Sequence, residues 1–183
     1  EKPVLAVLPT EEAAEDFSQD LKFFLNEEQV FLYPSPETLP FEPQAAHQEI
    51  QASRMELLFK LLTSKPFITV TSAANLMHRV MPREGLSERV VTLKKEEEVQ
   101  RDSLLATLQE TGYSRMSMVE ERGEMSVRGG ILDIFPPMYA NPLRIEFFGD
   151  DIESIRSFDI GTQRSLGELD EVRLLPARET TLL

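Results

Sequence analysis

The hydrophobic period of this chain changes once, near residue 90. That change points to a parallel α/β region followed by a β-rich one. Before it, short apolar runs alternate with amphipathic segments. Val4 to Leu8 reads as a buried strand ended by Pro9, and Thr10, Glu11 and Glu12 suit the start of a helix. Ala14, Phe17, Leu21, Phe24 and Leu25 then recur at helical spacing. Val30 to Tyr33 is a second strand, followed by a proline-rich loop through Pro34, Pro36, Pro40 and Pro43. Ile50 to Leu62 reads as a helix, Phe67 to Thr71 as a third strand, and Ser72 opens a short helix reaching Met77.

After residue 90 the pattern predicts a charged helix over Glu96–Gly112, with Gly112 as its C-cap. Short strands follow at 116–118, 125–127, 131–135, 143–147 and 152–155. Gly123, Gly129-Gly130, Asn141-Pro142 and Gly149-Asp150 separate them as turns. The expected fold is a small antiparallel sheet with one helix. Leu174 to Ala177 reads as a path back towards the first region.

Composition narrows the chemistry. The net charge of -13 opposes binding of phosphate backbones through a basic face. The chain has no cysteine, which removes disulfides, cysteine-ligated zinc and thiol catalysis, and which suits a cytoplasmic location. No apolar run is long enough to span a membrane, and no signal peptide is visible. The chain opens almost directly on an apolar run, as expected of a piece cut from a longer protein.

A phosphate-binding loop needs glycines that let backbone amides wrap phosphate, and a lysine to reach it; no such string occurs. Gly129-Gly130 precedes a strand and reads as a turn. His47 and His78 lack the spacing and partners of ligands or catalysts and read as surface or capping residues. The carboxylates Glu96-Glu97-Glu98 and Asp150-Asp151-Glu153 could in principle hold magnesium, but a helix start and a tight turn account for them. Arg115, Arg122 and Arg128 stand out, three arginines within one β stretch of an acidic chain. A planar guanidinium on a rigid sheet can pair a partner's carboxylate bidentately, although ordinary surface charge would leave the same pattern.

Arg122 through Pro136 and Leu143 through Asp159 resemble long motifs shared by UvrB and the bacterial transcription–repair coupling factors. Glu37 to Glu42, His47 to Arg54, and Gln163 to Leu166 followed by Leu174 to Ala177 are similar to the coupling factors in particular. The resemblance implies a RecA-like α/β region over 1–92 that has lost helicase function. It implies an inserted domain like UvrB domain 2 over 93–174, and a return into the first region over 175–183. It implies UvrA as the partner, no catalysis by this stretch, and no cofactor of its own. ATP, magnesium, RNA polymerase and DNA would be handled by other parts of the parent protein. The alternative is a UvrB-like helicase, DNA- or nucleotide-binding fragment.

The implied contact residues carry over one at a time. Tyr113-Ser114-Arg115 matches a family stretch whose arginine touches UvrA, and Arg128 matches one arginine of a second contact motif. Ser126 stands where that motif has its other arginine, and Arg122 is the candidate to replace it.

Overall fold

The computed structural model describes residues 3–26, 29–36, 44–63 and 67–179. The loop through Pro40 and Pro43, the motif at 37–42, the His47 side chain and residues 180–183 lie outside the described residues.

The first region is built on three parallel strands. They are β1 (Val4–Leu8), β2 (Val30–Leu32) and β3 (Ile68–Ser72), in the order β1-β3-β2. Helices α1 (Glu11–Phe24) and α2 (Gln44–Thr63) make the crossovers. α1 starts where its cap residue dictates, with the Thr10 hydroxyl accepting from the Ala13 amide at 3.2 Å. Period-two alternation divides the strand side chains between the helices. Val30, Val70 and Ala14 are buried on the α1 side, whereas Tyr33, Phe67 and Leu57 are buried on the α2 side. A short 3-10 turn at Asn75–Met77 and α3 (Arg83–Ser87) complete the region, and α3 buries Leu86 against Met55 and Met81.

The second region holds a six-stranded sheet in the order β10-β9-β8-β7-β6-β5. Its strands are β5 (Ser114–Arg115), β6 (Glu124–Arg128), β7 (Ile131–Ile134), β8 (Leu143–Phe148), β9 (Asp151–Phe158) and β10 (Ser165–Glu168). The pairings are antiparallel except β5 with β6, which is parallel and departs from the all-antiparallel sheet expected. β4 (Val91–Lys94) and β11 (Glu171–Leu174) form a separate antiparallel pair, so the chain enters and leaves this region on neighbouring strands. Helix α4 (Arg101–Glu110) and that pair close one continuous core with the sheet, including Leu93, Leu104, Leu108, Met125, Leu132, Ile145 and Leu174.

Three expectations need correction. The charged helix begins at Arg101, not Glu96, because the preceding residues bond to the β8–β9 turn instead of to each other. The Glu96 and Val99 amides donate to Ile152 and Asp150, and the Ile152 amide donates to Glu97. Its end agrees with the sequence: Gly112 has φ 99° and the Tyr113 amide reaches the Leu108 carbonyl at 3.0 Å. The strand placed at Met116–Met118 is only Ser114–Arg115, since the chain leaves the sheet edge after the Met116 amide bonds Met125. The structure adds strands β4, β10 and β11, of which β10 is exposed along its whole length and so carries no alternation to read.

The segment after β11 touches both regions. Tyr113 donates its hydroxyl to the Leu175 carbonyl at 2.6 Å, and the Ala177 amide donates to Thr111. Two residues on, Glu179 accepts from the Tyr33 hydroxyl at 2.8 Å and lies 3.2 Å from a nitrogen of Arg54. Arg54 is fully buried, donates to the Pro34 carbonyl and to Asn75, and stacks over the Tyr33 ring. Burial, then the neighbouring Glu179 carboxylate, pushes the Tyr33 hydroxyl well above the ordinary tyrosine range.

Candidate functional site

The two faces of the six-stranded sheet differ in kind. On β6, Met125 and Val127 point to the core. On β7 and β8, Leu132, Ile134, Leu143, Ile145 and Phe147 do the same. The alternate residues, Arg128, Asp133, Arg144, Glu146, Ser154 and Arg156, lie on the opposite pleats. There they form a charged lattice across four strands. Asp133, whose side chain is 3% exposed, accepts from Arg128 Nη2 at 2.6 Å. It also accepts from Arg144 Nε and Nη2 at 2.7 and 2.9 Å. Arg144 donates further to Gln163 and lies over the Phe158 ring, and its bonds to Asp133 hold its pKa above the usual arginine value. Glu146 pairs with Arg156 and accepts from the Ser154 hydroxyl at 2.8 Å.

Within this lattice Arg128 is the cation that reaches outward. Its side chain is 52% exposed although its Nη2 is tied to Asp133. The sequence motif places Arg128 on the last residue of β6, just before a turn whose glycines the geometry requires. Gly129 has φ 58°, and a side chain at Gly130 would meet the Phe147 carbonyl oxygen at 2.6 Å.

The other three candidate residues are placed differently. Arg115 is exposed on the edge strand β5, where its register partner is Met125. It therefore sits on the pleat opposite to Arg128, and at a sheet edge. Ser126 shares the pleat of Arg128 but is buried, its hydroxyl donating to the Ser117 carbonyl at 2.9 Å. The loop that follows β5 covers this position, so the structure does not bring Ser126 to the open surface. Arg122 is engaged inside the molecule. Its Nη1 donates to both Glu49 oxygens on α2 at 2.6 Å, its Nη2 donates to the Tyr139 carbonyl, and its guanidinium lies over Phe135.

Sequence reasoning missed Asp133, Arg144, Glu146 and Arg156. The available signal was a charged residue at every second position of strands whose other positions are apolar, in Leu132-Asp133-Ile134 and Leu143-Arg144-Ile145-Glu146-Phe147. The carboxylate clusters serve local geometry. Asp150 accepts from the Arg101 amide and caps α4 from a distance, and Glu97 accepts from the Lys94 amide. Among the described residues no three side chains are grouped as a metal would need, and no helix is long and apolar enough to cross a membrane.

The family model of the UvrB interaction domain matches residues 91–179, beginning on the first residue of β4. The chain is similar to the transcription-repair-coupling factor of Haemophilus influenzae, 41% identical over 85% of this chain and 14% of that protein. The corresponding factor of Myxococcus xanthus is 37% identical over 98% of the chain and 16% of its own length. That of Escherichia coli is 34% identical over 97% and 15%. The chain thus spans about one-seventh of the length of the relatives it matches.

Proposed function

We propose that this chain, which belongs to the transcription-repair-coupling-factor family and carries the UvrB interaction domain over residues 91–179, docks the excision-repair protein UvrA. The observation that carries the reading is Arg128, a half-exposed guanidinium fixed on a rigid sheet in an otherwise acidic molecule. Such a group can offer a planar fork to a partner carboxylate, and its position is set before the partner arrives. Arg115, exposed on β5, is the second anchor and approaches UvrA from the sheet edge. Ser126 and Arg122 serve the fold around them, the one under the Ser117 loop and the other as a strut to α2.

Residues 93–174 act as an insert on a RecA-like first region. The antiparallel neighbours β4 and β11 support this, since they bring the two crossings side by side. The first region takes no nucleotide and the chain needs no cofactor of its own. The turn between β1 and α1, where a phosphate would meet a helix N-terminus, reads Pro9-Thr10-Glu11-Glu12. Thr10 already caps the helix, and Glu11 accepts from the Ser72 hydroxyl at 2.8 Å, so carboxylates occupy the approach. In the whole protein the module would link displacement of stalled RNA polymerase, driven by an ATP- and magnesium-dependent motor elsewhere, to excision repair of DNA in the cytoplasm.

Titration of the chain with purified UvrA tests the reading. Arg128→Ala is expected to weaken binding by more than tenfold, because truncating a buried interfacial arginine costs about 2–5 kcal/mol. The melting temperature should stay nearly unchanged, and added salt should weaken the parent's binding. Arg89→Ala, outside the docking face, should bind like the parent. ATP with magnesium should not raise the melting temperature; a rise would favour the nucleotide-handling alternative instead. Unchanged binding by both Arg128→Ala and Arg115→Ala would place the docking site elsewhere.

A further inference from the structure

The lattice on the open sheet face contains an imbalance. Two guanidinium groups, those of Arg128 and Arg144, share the one carboxylate of Asp133. Arg144 approaches it with two nitrogens and is itself mostly buried, at 18% side-chain exposure, so the Arg144–Asp133 pair is a fixed part of the sheet. Asp133 sits on β7 directly opposite Ser126 and Arg144, held on both sides by strand pairing. Arg128 is attached to this fixed carboxylate through one Nη2 and leaves half of its side chain in solvent. A lone surface arginine samples many rotamers and loses that freedom when a partner seizes it. One tied to a buried carboxylate has already lost it.

We infer that Asp133 is a positioning residue for docking. Buried between β6 and β8, it holds the Arg128 guanidinium in one orientation so that the remaining N–H donors meet an incoming carboxylate of the partner. The inference rests on the reading of Arg128 as the UvrA anchor. The cluster of Arg128, Asp133 and Arg144 carries one excess positive charge, and a partner carboxylate would balance it. The occupant this site selects is therefore an acidic side chain with an open approach to the end of β6. A second cation would be repelled by the excess charge, and an apolar side chain would leave the guanidinium unsatisfied.

A double-mutant cycle tests it. Asp133→Asn replaces one acceptor oxygen by an amide nitrogen that cannot accept, and it removes the charge on which Arg128 leans. UvrA binding is measured for Asp133→Asn, for Arg128→Ala and for the two combined. Asp133→Asn is expected to weaken binding by roughly three- to tenfold, the cost of ordering one long side chain at the interface. In the Arg128→Ala background it should add nothing. Equal losses in both backgrounds, or no loss with Arg128 present, would overturn the positioning role. If Arg128→Ala itself binds UvrA like the parent, the docking reading falls first, and the cycle separates that outcome from failure of the positioning. Should Asp133→Asn not fold, the pair Asp133→Asn with Arg144→Gln replaces the ion pair by two amides and enters the same cycle. A measurement on the unmodified chain decides independently. Nitrogen-15 relaxation of the arginine side chains should show Arg128 restricted and exposed Arg115 freely rotating; equal mobility of the two would contradict the inference.

Discussion

The two regions of this molecule bury their apolar residues to different degrees. The second encloses one core running from Leu93 to Ala177 and turns charged residues outward. Among the described residues the first divides its core into three small clusters and leaves Val4, Leu5 and Val7 of β1 exposed. Phe23 and Phe24, at the end of α1, are 84% and 78% exposed. The region with the more apolar surface is thus not the one read as the docking module. The second region presents a charged, half-exposed arginine, a surface suited to steered and reversible contact. Among the described residues the first is tied to it by side chains rather than by a shared sheet, through the buried Arg54–Glu179 pair and the more exposed Arg122–Glu49 pair.

Breaking the buried pair should have the largest effect on stability. Arg54→Ala leaves the part-buried Glu179 and the Asn75 side-chain oxygen without their cation, and is expected to cost about 3–5 kcal/mol in chemical denaturation. A loss below roughly 1 kcal/mol, the range of exposed pairs, would mean that the buried pair does not tie the regions together. Next comes a pair of truncations. Ile145→Ala, in the second core, should cost about 2–5 kcal/mol. Phe24→Ala, on the exposed end of α1, should stay within about 0.5 kcal/mol of the parent. Equal costs would erase the contrast between the regions. Smaller again is Arg122→Ala, which removes the strut to Glu49 and the bond to Tyr139. It should cost about 1–2 kcal/mol while UvrA binds as before. A loss of affinity with unchanged stability would return Arg122 to the docking surface.

The smallest effect concerns Asp159, in the turn between β9 and β10. Hydrogen bonds from the Thr162 hydroxyl and amide hold its carboxyl below the usual carboxylate range. A depressed folded-state pKa contributes stability that is present above the unfolded value and is lost as pH falls through the folded one. Carbon-13 titration should therefore place Asp159 below an ordinary aspartate, and Thr162→Ala should raise it. An unshifted Asp159 would contradict the geometry of this turn.

What could be read in the sequence was local. Thr10 with Glu11 and Glu12 announced α1, and Gly112 announced the end of α4, because caps act within one turn of the chain. The first sheet followed from strand–helix alternation. The start of α4 was hidden because the competing bonds come from Asp150 and Ile152, some fifty residues away. Arg122 looked like a surface anchor because its partner Glu49 lies 73 positions earlier. The burial of Ser126 is not legible locally, because it comes from the Ser117 loop folding over it. Arg128 reads as an exposed sheet arginine and its side chain is half-exposed, whereas Asp133, the carboxylate that fixes it, reads as an ordinary strand residue.

A hydrogen-exchange footprint of the chain, free and with saturating UvrA, tests most directly whether the second region is the docking module. Added protection is expected at the exposed edge strand β5 and at the Gly129-Gly130 turn beside Arg128, with none over α1 from Glu11 to Phe24. Protection confined to α1 and β1, with β5 and the turn unchanged, would show that the apolar face of the first region makes the contact and that the charged sheet does not.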